Sequence, residues 1–189
     1  MPYIPLEEHL PGITGLLEYR RDTAEPIRNL TQILLRGHNT LTEFERELIA
    51  TLVSSRNQCK FCTTAHAVTA EKLSNEQPLV AQVIDNYQTA EISPRLKALL
   101  HIAAQVQQNG KAVTAQDVEA AQEQGATDAE IHDTVLIAAL FCMYNRYVDG
   151  LATALPGNPA YFNQLADRLV NHGYTRLPQG YDHLKQNNT

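Results

Sequence analysis

The chain has 189 residues, of which 43% are hydrophobic and 19% are charged, and its formal net charge is −6. These proportions are typical of a folded globular domain and exclude a disordered or collagen-like chain. Fifteen basic residues stand against 21 acidic ones, and the longest basic cluster is the dipeptide Arg20-Arg21. Because nucleic-acid backbones are bound by clusters of Lys and Arg, we expect no nucleic-acid partner.

The longest apolar run covers residues 135–144, whereas a membrane-spanning helix needs about twenty apolar residues. The first twelve residues lack the basic start and apolar core of a secretory signal. We therefore expect no membrane association and a cytoplasmic location. Thiols are normally kept reduced in the cytoplasm, so the three cysteines are expected to be free thiols.

Helix signals dominate the first half of the chain, and no segment shows the sustained two-residue alternation of a strand. The N-terminal region predicts one helix from about Ala24 to Leu35. Thr42 and Glu45 form the pattern of a capping box, in which each side chain accepts a hydrogen bond from the other residue's backbone. This pattern predicts a helix that the polar residues 54–57 interrupt, before a second helix from about Gln58 to Leu73.

The second half of the chain predicts four more helices. Their positions are marked by Ser93-Pro94, by Thr114 with Asp117, by the capping-box pattern of Thr127 and Glu130, and by the segment Ala160–Val170. The third of them is the longest, from Asp128 to about Leu155. Its residues 135–144 are apolar nearly all round the helix, which indicates burial by neighbours on several sides. The sequence thus predicts an all-α fold.

A Cys-x-x-Cys motif with a trailing histidine is the feature that carries chemistry. Cys59, Cys62 and His66 are spaced three and four residues apart, which places them on one face of a helix. They follow the break at Asn57, and a helix start favours thiolate through its unpaired N–H groups and its dipole. One thiolate can attack, the second can close a disulfide, and the imidazole can transfer protons. The motif indicates dithiol–disulfide chemistry.

Two other interpretations of the cysteine pair stay open at this point. A structural zinc ion needs four ligands, but the motif offers only three, and Cys142 lies inside the apolar run, where we expect a small core side chain. The second alternative is a pair of buried, inert cysteines. Haem attachment would need a histidine directly after the second cysteine, where Thr63 stands.

Glu47 is the acidic residue that best fits the same site. It lies twelve residues before Cys59, among apolar neighbours that include Phe44 and Leu48. A carboxylate held near the thiols would have a raised pKa and could act as a base through water. Taken alone, a glutamate at such a position is more often a surface charge than a catalyst.

The combined pattern resembles a known family. Glu47, Ser54, Asn57 and Cys59-x-x-Cys62-x-x-x-His66 are similar to the alkylhydroperoxidase D-like (AhpD-like) group of the carboxymuconolactone decarboxylase superfamily, in particular its peroxidase-related branch. The likeness continues in residues 96–100, 113–118 and 125–131 and in Tyr144-Asn145-Arg146. It implies a domain over residues 41–155, flanked by an N-terminal helical extension, 1–40, and by a C-terminal tail with a short helix, 156–189.

The resemblance implies an AhpD-like helical fold that is oligomeric through packed helices, as a trimer or hexamer. It also implies peroxiredoxin-type reduction of hydroperoxides, with electrons from a dithiol donor such as a lipoyl group or a thioredoxin-like protein. By position, Glu47 starts a water-assisted proton relay, His66 passes protons, and Cys59 and Cys62 form a redox-active disulfide. No other cofactor and no metal is implied. The family makes Cys62 the attacking thiol, whereas the helix dipole favours Cys59 as the more acidic one.

The chain departs from the family at one position and leaves alternatives open. Phe61 stands where the best-known members have a relay histidine. One member of the proton relay is therefore absent or replaced by water. A hydrophobic peroxide could bind beside Phe61. The decarboxylase branch acts without a cysteine pair, so the intact pair argues against that activity. The alternatives are a redox-sensing or zinc-binding oligomer that does not turn over, and a cysteine-independent lyase or isomerase of the same superfamily.

Overall fold

The computed structural model describes residues 1–74 and 77–181. Within these ranges the regular secondary structure is helical and no strand occurs. The predicted all-α fold is therefore confirmed.

The N-terminal segment forms two helices where the sequence predicted one. Helix α1, Ile13–Tyr19, was not predicted, and α2 covers Arg21–Arg36 instead of starting at Ala24. A seven-residue helix carries little periodic signal. Helix α2 also begins three residues earlier than predicted and contains Pro26 beyond its first turn.

Helices α3, Glu43–Arg56, and α4, Lys60–Ser74, form the hairpin that carries the cysteine motif. The capping box at the start of α3 is present, because Thr42 and Glu45 each accept a hydrogen bond from the other's backbone. A further helix, α5, covers Gln77–Asn86 and was not predicted.

The remaining helices start where the sequence placed them. Helix α6 covers Pro94–Gln108, a 3₁₀ turn follows at Gly110–Ala112, and α7 covers Ala115–Glu123. Ser93 caps α6, and Thr114 forms a capping box at the start of α7.

Helix α8, Asp128–Gly150, is the longest and begins with the predicted capping box of Thr127 and Glu130. It ends five residues before the predicted Leu155, because the chain turns at Ala152, which has a φ of 48°. Its apolar stretch is not buried on all sides, since Ala139 and Met143 are exposed. Helix α9, Ala160–His172, extends two residues beyond its predicted end.

Helix α3 lies at the centre of the molecule and packs against α4, α6 and α8, while α9 packs against α4. The buried side chains form two clusters. The larger one joins α3, α6 and α8, and the smaller one joins the cysteine motif to both terminal segments, through residues such as Leu10, Leu16, Phe162 and Leu165. The terminal segments therefore pack directly on the helix that bears the cysteines.

No helix in the described part of the chain is both long enough and apolar enough to cross a membrane.

Candidate active site

The cysteine pair is buried at the start of α4. Cys59 immediately precedes the helix and is 0% exposed, and Cys62 lies in its first turn and is 3% exposed. The backbone turns into α4 at Gln58, whose φ of 60° is uncommon for a residue with a side chain and costs roughly 1–2 kcal/mol. All three cysteines, Cys142 included, are free thiols.

The thiol of Cys62 is not acidified by its position. A hydrogen bond with the Cys59 sulfur and burial raise the pKa of Cys62 well above its usual value. The expectation that the helix start favours thiolate is therefore wrong for this cysteine, since burial and the neighbouring sulfur outweigh the helix dipole. Cys62 keeps its proton at neutral pH and needs a base to become a nucleophile.

His66 and Glu47 form a buried dyad between α4 and α3. Nδ1 of His66 lies 2.7 Å from Oε2 of Glu47, and the Glu47 side chain is 0% exposed. Because an ionised carboxylate has no proton to give, Nδ1 donates and the Nε2 atom is left as the proton acceptor. The edge of the His66 ring also rests against Phe141, with 4.5 Å between the ring centroids.

Two residues from outside the motif complete the surroundings of Glu47. Arg36, the last residue of α2, donates from Nη2 to Oε1 of Glu47 at 2.6 Å, and the Tyr174 hydroxyl donates to the same oxygen at 2.6 Å. Burial alone would raise the pKa of Glu47, but the charges of His66 and Arg36 and these hydrogen bonds lower it below its usual value. The expected raised pKa is therefore wrong: Glu47 is held as a carboxylate that orients His66.

Tyr174 lies in the C-terminal segment, just beyond α9. Its ring stacks on His66 with a centroid distance of 6.2 Å and an interplanar angle of 9°, and the Arg36 guanidinium lies 5.0 Å from its centroid. Burial and the Glu47 charge raise the pKa of Tyr174 well above its usual value, so the hydroxyl stays protonated as a donor. Sequence reasoning missed both Tyr174 and Arg36, because no local motif marks either position.

A small cavity of about 60 Å³ lies beside the motif. Cys62 and His66 line it, together with apolar side chains that include Phe61, Phe141 and Leu165; Cys59 and Glu47 are not among the described residues in its wall. The departure at Phe61 thus places an apolar ring where the resemblance would place a histidine. A ligand in the cavity meets Cys62 rather than Cys59.

Asn145 of α8 links the cysteine motif to α3. Its Nδ2 donates to Ser54 Oγ at 3.0 Å, its Oδ1 accepts from Asn57 Nδ2 at 2.8 Å, and it also hydrogen-bonds Cys62. Ser54 and Asn57, two of the polar residues between the predicted helices, therefore hold the Asn145 amide against the Cys62 thiol.

Cys142 stands apart from this arrangement. It is half-buried, packs against the larger cluster and lies 3.6 Å from Asn57 Nδ2, so the prediction of a small core side chain holds for only part of its surface. Among residues 1–74 and 77–181, no three His, Cys, Asp or Glu side chains are grouped so that they could hold a metal ion.

A family model and two solved structures are similar to this chain. Residues 21–105 match the model of the carboxymuconolactone decarboxylase family, and no curated protein matches the chain. An uncharacterised peroxidase-related protein from Silicibacter sp. TM1040 is 26% identical, with a TM-score of 0.73 over 78% of this chain and 77% of that one. An alkylhydroperoxidase AhpD core protein from Ralstonia eutropha JMP134, also described as uncharacterised and peroxidase-related, is 25% identical, with a TM-score of 0.77 over 87% of this chain and 96% of that one. Over residues 21–105 the chain is thus similar to the carboxymuconolactone decarboxylase family, and its fold is similar to those of two proteins described as peroxidase-related, one of them an AhpD core protein.

Proposed function

We propose that the chain is a thiol peroxidase that reduces organic hydroperoxides through a dithiol–disulfide cycle of Cys59 and Cys62. The observation that carries the proposal is the placement of Cys62 and His66 in the wall of one buried, mainly apolar cavity, with Cys59 hydrogen-bonded to Cys62. The names of the two similar structures support the same class of reaction.

Cys62 is the attacking thiol in this proposal because it lines the cavity. His66 takes the Cys62 proton at Nε2, and Glu47 stabilises the resulting imidazolium through the hydrogen bond at Nδ1. The sulfur attacks the terminal peroxide oxygen, the O–O bond breaks, and His66 returns the proton to the departing alkoxide. The products are an alcohol and a sulfenic acid on Cys62.

Cys59 then resolves the sulfenic acid. Its sulfur attacks the Cys62 sulfur, an S–S bond forms, and the hydroxyl leaves as water with the Cys59 proton. An external dithiol, such as a lipoyl group or a thioredoxin-like protein, returns two electrons and two protons and becomes a disulfide itself. Such a cycle requires a reducing compartment, and we propose the cytoplasm.

A homo-oligomer is part of the same proposal. The large apolar side chains of Leu30 and Ile33 on α2 and Met143 on α8 are exposed in the single chain, and a subunit contact would cover them. We expect a trimer or hexamer, which light scattering of the purified protein measures directly.

Steady-state turnover tests the proposed function. We expect the wild type to consume many equivalents of tert-butyl hydroperoxide with dihydrolipoamide as donor, and the Cys62→Ser variant to consume it no faster than a free thiol does. Cys142→Ser is the matched control and keeps the wild-type rate, because Cys142 lies outside the cavity. Wild-type turnover no faster than that of a free thiol contradicts the proposal, and an activity that survives the loss of both motif cysteines would favour the lyase or isomerase alternative.

A further inference from the structure

Two arginines occupy the wall of the cavity, away from the cysteine motif in sequence. Arg28 of α2 is 4% exposed and Arg168 of α9 is 5% exposed, and both line the cavity together with Cys62. Their guanidinium groups lie 5.7 and 4.8 Å from the ring centroid of Tyr181. Buried cations are rare in cavities that are otherwise apolar, because their desolvation is costly unless an anion is present.

The two arginines differ in their partners. Arg28 donates from Nη2 to Glu18 Oε1 at 2.8 Å. Arg168 donates only to backbone carbonyls, those of Gly173 at 3.3 Å and Thr175 at 2.7 Å, and no carboxylate among the described residues lies within ion-pairing distance of it. The Nε atoms of both arginines are buried without a hydrogen-bond partner in the described part of the chain.

The neighbouring acidic residue does not compensate this charge. Glu18 is shared by three guanidinium groups, those of Arg21 at 3.2 Å, Arg28 at 2.8 Å and Arg176 at 2.9 Å. Arg168 is not among the groups that pair with Glu18.

We propose that the cavity binds an anionic ligand, and that the hydroperoxide reduced by Cys62 carries a carboxylate held by Arg168 and Arg28. The inference rests on the proposed function and adds the substrate class to it. In this arrangement the apolar wall contacts a short carbon skeleton and the peroxide faces Cys62. The carboxylate supplies the anion that no described residue places beside Arg168. Guanidinium groups suit this task because their planar donors match a carboxylate in geometry and charge.

A purely structural role for Arg168 is the competing explanation. Its two hydrogen bonds to Gly173 and Thr175 also hold the segment that carries Tyr174. That role explains the hydrogen bonds of the Nη atoms. It does not explain why, within the described residues, the buried Nε has no partner and the charge has no carboxylate beside it. The two explanations predict different results when the charge at residue 168 is removed. At an anion site the preference for acidic over neutral ligands is lost, whereas a structural role affects both kinds of ligand alike.

Calorimetric binding to the reduced protein tests the anion site without any redox step. The probes are 3-methylbutanoate and its neutral match, 3-methylbutanamide, both small because the cavity is small. We expect the acid to bind about ten to a hundred times more tightly than the amide. The difference disappears in Arg168→Gln and is kept in the control Arg21→Gln, which removes an exposed cation that also pairs with Glu18.

Turnover then tests the substrate class, with 3-hydroperoxy-3-methylbutanoate compared with the corresponding amide. We expect kcat/KM to favour the acid over the amide by about tenfold or more in the wild type. The preference should be kept in part in Arg168→Lys and lost in Arg168→Gln. Equal rates for acid and amide in the wild type, or an equal loss for both in Arg168→Gln, overturn the inference while leaving the peroxidase proposal intact. Selective binding of 3-methylbutanoate without turnover of either hydroperoxide would instead support the anion site and overturn the peroxidase proposal.

Discussion

Two regions supply different parts of the candidate site: the hairpin of α3 and α4, and the terminal segments that pack against it. The hairpin provides Cys59, Cys62, His66 and Glu47, which are close in sequence and carry the proposed chemistry. The terminal segments provide side chains far from these in sequence, Arg28, Arg36, Arg168 and Tyr174, which set the charge around them. The comparison teaches that the motif supplies the reactive groups and His66, the group that lowers the pKa of Glu47 most. The termini add the Arg36 and Tyr174 contacts to Glu47 and the two arginines of the proposed anion site.

Glu47→Gln is expected to have the largest effect, because Glu47 is the point where the two regions meet. The change breaks the buried ion pair with Arg36 and leaves that guanidinium the more distant, half-exposed Glu43, at 3.6 Å. Breaking a buried pair costs about 3–5 kcal/mol in the free energy of unfolding. The change also removes the group that orients His66, and we expect the single-turnover rate to fall by about 10²-fold or more. Denaturant unfolding and stopped-flow mixing measure the two effects. In the control Glu43→Gln, which removes the half-exposed carboxylate near Arg36, both changes are small; similar losses in the two variants would contradict this role of Glu47.

The pH dependence of the free energy of unfolding tests whether the pKa of Glu47 is lowered in the folded chain. The pKa of Glu47 is lower in the folded chain than its ordinary value of 4.5. The carboxylate therefore stabilises the fold at pH values above its ordinary pKa. This contribution is lost as the pH falls through the lower pKa of the folded chain. We expect the stability difference between wild type and Glu47→Gln to be constant near neutral pH and to shrink below pH 4.5. A difference that grows on acidification would mean that the folded pKa is raised.

Gly12→Ala tests how tightly the N-terminal segment is fitted to the motif helix. Gly12 has a φ of 61°, and a Cβ atom there would lie 2.3 Å from the Phe61 ring, next to Cys62 in sequence. We expect a loss of about 2–4 kcal/mol from backbone strain and overpacking. Gly150→Ala is the matched control, because no atom lies within 4 Å of its added Cβ. If thermal unfolding puts both variants within about 0.5 kcal/mol of wild type, the close contact does not matter.

Tyr174→Phe is expected to have the smallest effect of these. It removes one hydrogen bond to Glu47 and keeps the ring that stacks on His66. A hydrogen bond to a charged acceptor contributes about 1.5–3 kcal/mol, and we expect the lower value because Arg36 still donates to the same oxygen. The exposed Tyr19 provides the control, Tyr19→Phe. An unchanged stability in Tyr174→Phe would show that the C-terminal segment does not take part in holding Glu47.

The helix starts could be predicted from the sequence because capping is local. Thr42, Thr114 and Thr127 each lie three residues before the acidic partner that completes the box, and all three boxes are present. Helix α1 was missed because it is short and begins without such a signal, and α5 was missed because it is short. The boundaries of the predicted central domain at residues 41 and 155 stay a prediction, and the tail from residue 182 onwards lies outside the described residues.

The site could be predicted in its residues but not in its electrostatics. Spacing alone brought Cys59, Cys62 and His66 to one helix, and the resemblance added Glu47. The raised pKa of Cys62 depends on the neighbouring Cys59 sulfur and on burial. The lowered pKa of Glu47 depends on contacts between elements, including the hydrogen bond with Tyr174, 127 positions away in the chain. No periodicity or motif reports such contacts, so the counter-charges became visible only in the folded chain.

The most direct test of the central claim is the intact mass and free-thiol count of the reduced protein after one equivalent of cumene hydroperoxide. We expect the wild type to lose two thiols and two hydrogens as the disulfide forms. Cys59→Ser should accumulate a sulfenic acid on Cys62, which adds one oxygen, while Cys62→Ser should stay unmodified. An unchanged wild-type mass, or a sulfenic acid in Cys62→Ser instead of Cys59→Ser, would contradict the assignment of Cys62 as the peroxide-reducing thiol.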